Sequence, residues 1–162
     1  MRVHVLDRAQ VLPGSTAECF EFFADAFNLE AITPPWLGFR VVTPGPIAMG
    51  VGALIEYRLR LRSLPIRWLT RIEVWEPGRR FVDVQVEGPY RLWHHTHSFE
   101  PDAPQGSSSG TVMRDVVRYA LPFGAIGGLA HAAVVRRDLD RIFDFRRDAV
   151  SRMLRDRSAS AS

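Results

Sequence analysis

The chain has 162 residues, of which 46% are hydrophobic and 24% are charged. This composition is typical of a soluble globular protein, and no apolar run approaches the roughly 20 residues that a membrane helix requires. The first ten residues, MRVHVLDRAQ, lack the apolar block of a signal peptide, so we expect a cytoplasmic protein without integral membrane association. The single cysteine, Cys19, excludes an internal disulfide.

All 21 basic residues are arginine, and with 18 acidic residues they give a formal net charge of +3. A nucleic-acid-binding protein would gather its arginines into a stripe with few acids between them, because neutralisation of phosphates drives that binding. In residues 136–148 arginines and aspartates are instead interleaved, which is typical of a solvated helix face with ion pairs three and four residues apart. We therefore expect no nucleic-acid partner.

The amino-terminal part of the sequence predicts one strand and two short helices. Residues 3–12 have the pattern of a strand, which ends at a Pro-Gly turn. A helix should follow, because Ser15 and Glu18 meet the pattern of a capping box that precedes an apolar face. A second short helix is expected over residues 27–32. It should end there because Thr33 precedes Pro34, and the residue before a proline is pushed out of helical space.

The middle of the chain changes to a hydrophobic period of two, and Gly- and Pro-rich segments separate the alternating runs. Consecutive strands of this kind join as antiparallel hairpins. The pattern predicts six strands, at residues 39–43, 53–62, 66–75, 80–87, 91–100 and 111–120.

A helical period returns over residues 129–155, where an apolar stripe lies opposite a charged face. The order of elements predicts an α+β fold, in which a curved antiparallel sheet of about seven strands wraps around a long C-terminal helix. We expect one domain over residues 1–156, with a loop at residues 101–110 and a disordered tail at residues 157–162.

Alternation along the predicted strands divides their side chains between a concave face and an outer face. In residues 53–62, 66–75 and 111–120 the arginines share one face, which must be the solvated one. Aromatic and aliphatic side chains share the other face. Asp115 is the one carboxylate that these three strands place there.

Three of the five histidines lie between residues 94 and 97. His95 and His97 share a face with aromatic side chains, so we expect both to point inward and His94 to lie at the surface. The following strand is the hairpin partner, which brings Asp115 near one of the two rings. A buried charge costs several kcal/mol unless it is paired, so the sequence predicts a buried His–Asp pair.

Three interpretations of this pair are open: a satisfied core contact, the polar part of a ligand cavity, or part of a metal site. Two imidazoles and one carboxylate can hold iron as a facial triad, and the His-x-His spacing resembles that of cupin barrels. Glu100, however, falls on the wrong face and Asp102 follows a proline. We therefore expect no bound metal.

The protonation state of the inward histidines determines how stability responds to pH. We expect a neutral ring, because Trp93, Phe99 and Met113 offer little to solvate an ion. A neutral imidazole still donates one hydrogen bond to Asp115. Stability should then fall below about pH 6, with His97 as the residue that titrates.

Several segments resemble those of the helix-grip superfamily SRPBCC, which includes birch-pollen-allergen-like proteins, START lipid-transfer domains and aromatic polyketide cyclases/dehydrases. The chain looks most like the small bacterial SRPBCC proteins. The resemblance covers residues 3 to about 154 and is carried by LPGSTAECFEFFAD, NLEAITPP, IEVWEPGRRFVD, GPYRLWHHTHSFEP and TVMRDVVRYALPFG. It implies a hydrophobic cavity between sheet and long helix. Binding proteins and enzymes share this scaffold, so function depends on the site.

We expect the cavity to bind a small, mostly hydrophobic molecule, such as a lipid, a polyketide or an aromatic compound, as a carrier or sensor. The expected ligand-binding residues are Tyr57, Trp68, Trp93, His95, His97, Phe99, Met113, Asp115 and Tyr119. The alternative is a cyclase, dehydrase or isomerase, in which His95 or His97, oriented by Asp115, transfers a proton; these three are the candidate catalytic residues. No cofactor is expected, and the sequence leaves the oligomeric state open.

Overall fold

The computed structural model of the chain describes residues 1–103, 110–122 and 128–160. A short 3-10 helix at Pro35–Leu37 lies between the second helix and the second strand. The other elements are, in chain order, β1 (His4–Pro13), α1 (Thr16–Ala24), α2 (Asn28–Ala31), β2 (Arg40–Val41), β3 (Leu54–Leu61), β4 (Leu64–Glu76), β5 (Arg80–Glu87), β6 (Leu92–Pro101), β7 (Gly110–Ala120) and α3 (Gly128–Ser160).

The strands form one antiparallel sheet in the order β1-β7-β6-β5-β4-β3-β2. Strands β2 to β7 follow one another as neighbours, and β1 closes the order beside β7. The long helix α3 and the helices after β1 pack against this sheet. The predicted α+β helix-grip architecture is therefore confirmed.

The ends of several elements differ from the prediction. The strand expected at residues 39–43 is regular only over Arg40–Val41, and the Val42 amide adds one hydrogen bond to Glu56 O of β3 at 2.8 Å. Helix α3 continues to Ser160, so the expected tail is helical there, and the Ser160 hydroxyl donates to a carbonyl oxygen four residues earlier. Residues 161–162 and 104–109 lie outside the described residues. Within the described ranges, no helix is both long and apolar enough to cross a membrane.

The predicted capping box opens α1. The Ser15 hydroxyl accepts a hydrogen bond from the Glu18 amide at 3.2 Å, and the Glu18 carboxylate accepts one from the Ser15 amide at 2.7 Å. The helix then buries Phe20, Phe22 and Phe23 against the sheet and the end of α3. This layer fills one end of the concave face with hydrophobic core.

Strand β4 bends through two register shifts, one beside Thr70 and one between Ile72 and Val74. Such bulges bend a strand and increase its twist, which lets the sheet curve around a helix. Strict alternation would have put Trp75 on the outer face. The second shift turns it inward instead, where its ring packs edge-on against Phe20 at 5.0 Å between centroids.

Three aspartates of α3 pair with arginines outside the helix, whereas Asp148 contacts the adjacent Arg147 of the helix itself. Arg8 of β1 contacts Asp140 at 2.7 Å and Asp144 at 2.9 Å, and Arg62 contacts Asp138 at 3.0 Å. Pairs this exposed contribute about 0–1 kcal/mol each. The position of α3 over the concave face therefore depends mainly on its hydrophobic packing against the sheet.

Candidate functional site

A cavity of about 140 Å³ lies between the concave face and α3. Most of its wall is aromatic or aliphatic, and α3 contributes Phe143 to it. The wall also carries charged or titratable side chains, which are Asp83, Arg146, His95, His97 and the phenols Tyr57 and Tyr90. An engineered apolar cavity of about 150 Å³ binds benzene. The cavity therefore has room for about one aromatic ring.

The register of three neighbouring strands brings two histidines and two aspartates together. Asp83 of β5 lies opposite His95 of β6, and Asp115 of β7 lies opposite His97. His95, His97 and Asp115 are 4%, 3% and 6% exposed, and the Asp83 side chain is 17% exposed, so most of the group is shielded from bulk water. We call these four residues the His–Asp cluster.

Within the His–Asp cluster each carboxylate contacts both rings. His95 Nε2 is hydrogen-bonded to Asp115 Oδ1 at 2.8 Å, and His97 Nε2 to Asp83 Oδ2 at 2.8 Å. His97 Nδ1 lies 2.9 Å from Asp115 Oδ1, but this contact lacks hydrogen-bond geometry. The two ring centroids are 3.7 Å apart.

The two rings have opposite protonation preferences. Burial opposes a charge on His97, but its contacts with Asp115 and Asp83 outweigh burial and raise the pKa of the ring. Burial lowers the pKa of His95, and the neighbouring His97 charge lowers it further. Burial alone would raise the pKa of Asp115, yet the two histidines hold it far below its usual range.

The neutral ring predicted for His97 is therefore wrong, and it is His95 that stays neutral. The prediction assumed one carboxylate on the concave face, whereas His97 lies between two. The pKa of Asp83 is lowered despite its burial, because the His95 and His97 interactions favour the ionised carboxylate. The prediction was a neutral ring in an apolar pocket. In the structure His97 lies between two carboxylates that favour its charged form.

The tautomer of His95 follows from its partner. The Asp115 carboxylate only accepts hydrogen bonds, so we assign the ring proton to His95 Nε2. His95 Nδ1 is then unprotonated; it lies 3.7 Å from Asp83 Oδ2, and among the described residues it has no hydrogen-bond partner. A neutral imidazole oriented by a carboxylate, at the wall of a cavity, has the arrangement of a general base.

The expected ligand-binding residues divide into two groups. Five of them line the cavity: Tyr57, Trp68, Trp93, His95 and His97.

The other four expected residues do not line it. Phe99 and Met113 belong to the core beneath α1, because that helix fills the concave face at their end of β6 and β7. Tyr119 stacks on His4 at 5.3 Å between centroids. Asp115 borders a separate cavity of about 50 Å³ on the β1 side.

Two charged residues of the cavity wall were missed. Asp83 was detectable, because alternation in β5 places it on the same face as Phe81, which is buried and stacks on His97 at 4.1 Å. Arg146 follows Phe143 by three residues, so helical spacing puts it beside the apolar stripe of α3. Its place within a run of alternating charges hid that signal.

Asp83, His95 and His97 offer three possible metal ligands whose atoms all lie within 4.8 Å of one another. The Nε2 atoms of the two rings, however, bond to different carboxylates. The positive charge of His97 also offsets part of the negative charge of the two carboxylates. This arrangement favours a hydrogen-bonded cluster over a metal site, and the absence of a metal stays a prediction.

The sheet order, the helices after β1 and the long helix α3 form a helix-grip fold, which the solved structures described below share. No family model and no curated protein matches the sequence. Among solved structures, the Zhui aromatase/cyclase from Streptomyces sp. R1128 is similar at a TM-score of 0.76 and 14% identity, over 99% of both chains.

Two further structures share the fold at low sequence identity. A START superfamily protein from Mycobacterium smegmatis has a TM-score of 0.65 and 10% identity, over 94% of this chain and 98% of its own. Ara h 8.0201 has a TM-score of 0.61 and 15% identity, over 92% of this chain and 98% of its own. Similarity at this level establishes the fold and leaves the function to the site.

Proposed function

We propose that the chain binds a small, mostly apolar molecule of about one aromatic ring in the cavity between the sheet and α3. The observation that carries this proposal is the cavity of about 140 Å³, whose wall is mainly aromatic and aliphatic with few polar groups. Binding sites for small molecules have this composition, in which the polar groups orient the ligand. The size favours the aromatic member of the expected ligand classes over a lipid or a polyketide.

Ligand-induced stabilisation measures this binding. Phenol, indole and palmitate are added separately, and the thermal unfolding of the protein is followed. Phenol or indole should raise the midpoint, since a ligand at about 100 times its Kd stabilises by about 2.7 kcal/mol. Palmitate should not, because its chain exceeds the cavity.

A matched pair of variants localises the binding. Ala26 lines the cavity and is 4% exposed, whereas Ala17 is exposed on the outer side of α1. Ala26→Leu should abolish the stabilisation by filling the cavity, and Ala17→Leu should retain it. If neither aromatic probe stabilises the wild type, or if Ala26→Leu responds like Ala17→Leu, the cavity does not bind ligands of this class.

A second candidate function, proton transfer on a bound ketone, is favoured by the unprotonated Nδ1 of His95. In this step the C–H bond beside the carbonyl breaks, the proton moves to His95 Nδ1, and an enolate forms. Asp115 and Asp83 stabilise the resulting imidazolium, and the proton then returns to carbon or to a leaving oxygen. The similarity to an aromatase/cyclase supports this candidate.

Exchange of the methyl protons of acetophenone for deuterium, followed by NMR in D2O, tests this step directly. General base catalysis contributes about 10²–10⁴-fold, so His95→Gln should slow the protein-dependent exchange at least 100-fold. His94→Gln is the matched control, because His94 lies on the opposite face of β6. Wild-type exchange no faster than that of free imidazole at equal concentration rejects the enzymatic function.

A further inference from the structure

Among the charged side chains of the cavity wall, Arg146 of α3 has no role in the functions proposed above. It borders both the main cavity and the small cavity beside Asp115. Its Nε atom is buried and has no hydrogen-bond partner among the residues that the structure describes. Arg8, by contrast, donates to both Asp140 and Asp144. A buried donor without an acceptor is costly, so its presence at a ligand cavity indicates that the acceptor belongs to the ligand.

The charges around the cavity also balance only when Arg146 is included. In the His–Asp cluster the ionised Asp83 and Asp115 carry two negative charges, and His97 carries one positive charge. His95 contributes none, which leaves one net negative charge. The guanidinium of Arg146 compensates that charge through space and keeps its Nε–H free. A ligand atom that bonds to Nε therefore displaces no hydrogen bond made by the described part of the chain.

Two groups on the wall, His95 Nδ1 and Arg146 Nε, indicate the chemistry of the ligand, whereas the unpaired His97 Nδ1 lies 2.9 Å from Asp115 Oδ1. His95 Nδ1 accepts a proton, and Arg146 Nε donates to an oxygen that carries negative charge. A weakly acidic hydroxyl matches both groups, because its proton moves to His95 Nδ1 while its oxygen accepts from Arg146. A carboxylate is already ionised at neutral pH and brings no proton for His95.

We propose, building on the binding function above, that the ligand is a phenol or an enol of about one ring, bound as its oxyanion by Arg146. The O–H bond of the ligand breaks, and the proton is held by His95 Nδ1. The negative charge of the bound oxyanion then offsets the burial and the His97 charge that otherwise lower the pKa of His95. The cavity is therefore selective for an acidic hydroxyl over an isosteric group that has no proton to release.

Two probes of nearly equal shape test this selectivity. 4-Nitrophenol has the acidic hydroxyl, and 4-nitroanisole has a methyl ether in its place. The wild type should bind 4-nitrophenol about 10- to 100-fold more tightly, the range expected for a hydrogen bond to a charged group. At about pH 6, below the pKa of the free probe, bound 4-nitrophenol should also show the absorption band of the phenolate.

Arg146→Met should remove this preference while the affinity for 4-nitroanisole changes by less than about threefold. Arg152→Met is the matched control, because Arg152 is exposed on the same helix and the variant loses the same charge. The inference is overturned if Arg146→Met keeps the preference. It is overturned independently of any variant if the wild type binds both probes equally, or binds 4-nitrophenol as the neutral phenol. Failure of both probes to bind would reject the cavity function itself.

Discussion

Replacement of Asp115 by asparagine removes one of the two carboxylates of the His–Asp cluster and keeps the shape of the side chain. In the structure its Oδ1 atom lies 2.8 Å from His95 Nε2 and 2.9 Å from His97 Nδ1, and the side chain is 8% exposed. Removal of one partner from a buried ion pair costs about 3–5 kcal/mol, and here it weakens the contacts of both rings at once, although His97 keeps Asp83 at 2.8 Å. At pH 6, where His97 is charged, Asp115→Asn should therefore lose about this much stability.

Asp7→Asn is the matched control. Asp7 pairs with Arg114 at the surface, where the two side chains are 43% and 56% exposed. Exposed pairs contribute about 0–1 kcal/mol, so this variant should stay close to the wild type. Urea unfolding gives both free energies. By thermal unfolding the loss at Asp115 should lower Tm by about 6–20 °C, since about 1 kcal/mol corresponds to 2–4 °C for a chain of this size. Equal losses for the two variants would refute the reasoning that burial makes the cluster costly to break.

Three further predictions concern protonation, reactivity and packing. Because the folded pKa of His97 is raised, the stabilisation of wild type over His97→Gln should be complete below about pH 6.5 and decline as the pH rises through the folded pKa; an advantage that grows with pH would contradict this. The thiol of Cys19 is fully buried, and burial raises its pKa, so a thiol reagent should label it only at the rate of unfolding. Rapid labelling of the native protein would contradict this burial. Leu154→Ala should cost about 2–5 kcal/mol in the core, whereas Val51→Ala at a side chain 72% exposed should stay within about 0.5 kcal/mol; comparable losses in urea unfolding would exclude this core assignment.

The strand pattern of the sequence was sufficient to predict the fold and the inward direction of both histidines. Alternation has a strict period of two, so the face of His95 and His97 follows once one buried neighbour on β6 is recognised. Their partner on β7 follows from hairpin connectivity. Local rules of this kind need no knowledge of how distant elements pack.

The rest of the site depends on contacts that local patterns do not specify. The bulge that turns Trp75 inward is a property of how β4 pairs with β5. The pKa of His97 is raised, and not lowered as predicted, because Asp83 approaches the ring from a third strand. One additional carboxylate is enough to decide between a neutral and a charged ring. Arg146 reaches the cavity from α3, whose placement over the sheet depends on long-range packing.

The pairing of β5, β6 and β7 also limits how this chain can change in length. A shift of β6 by one residue would exchange the two faces of the strand, so His94 and Thr96 would point into the cavity and both cluster histidines would point to the outer face. A shift by two would keep histidine and aspartate on the concave face but change which residues stand opposite each other. Insertions and deletions that preserve the His–Asp cluster are therefore confined to the loops that connect these strands. The insertion or deletion of one residue inside β6 should be eliminated by selection even where it leaves the fold intact.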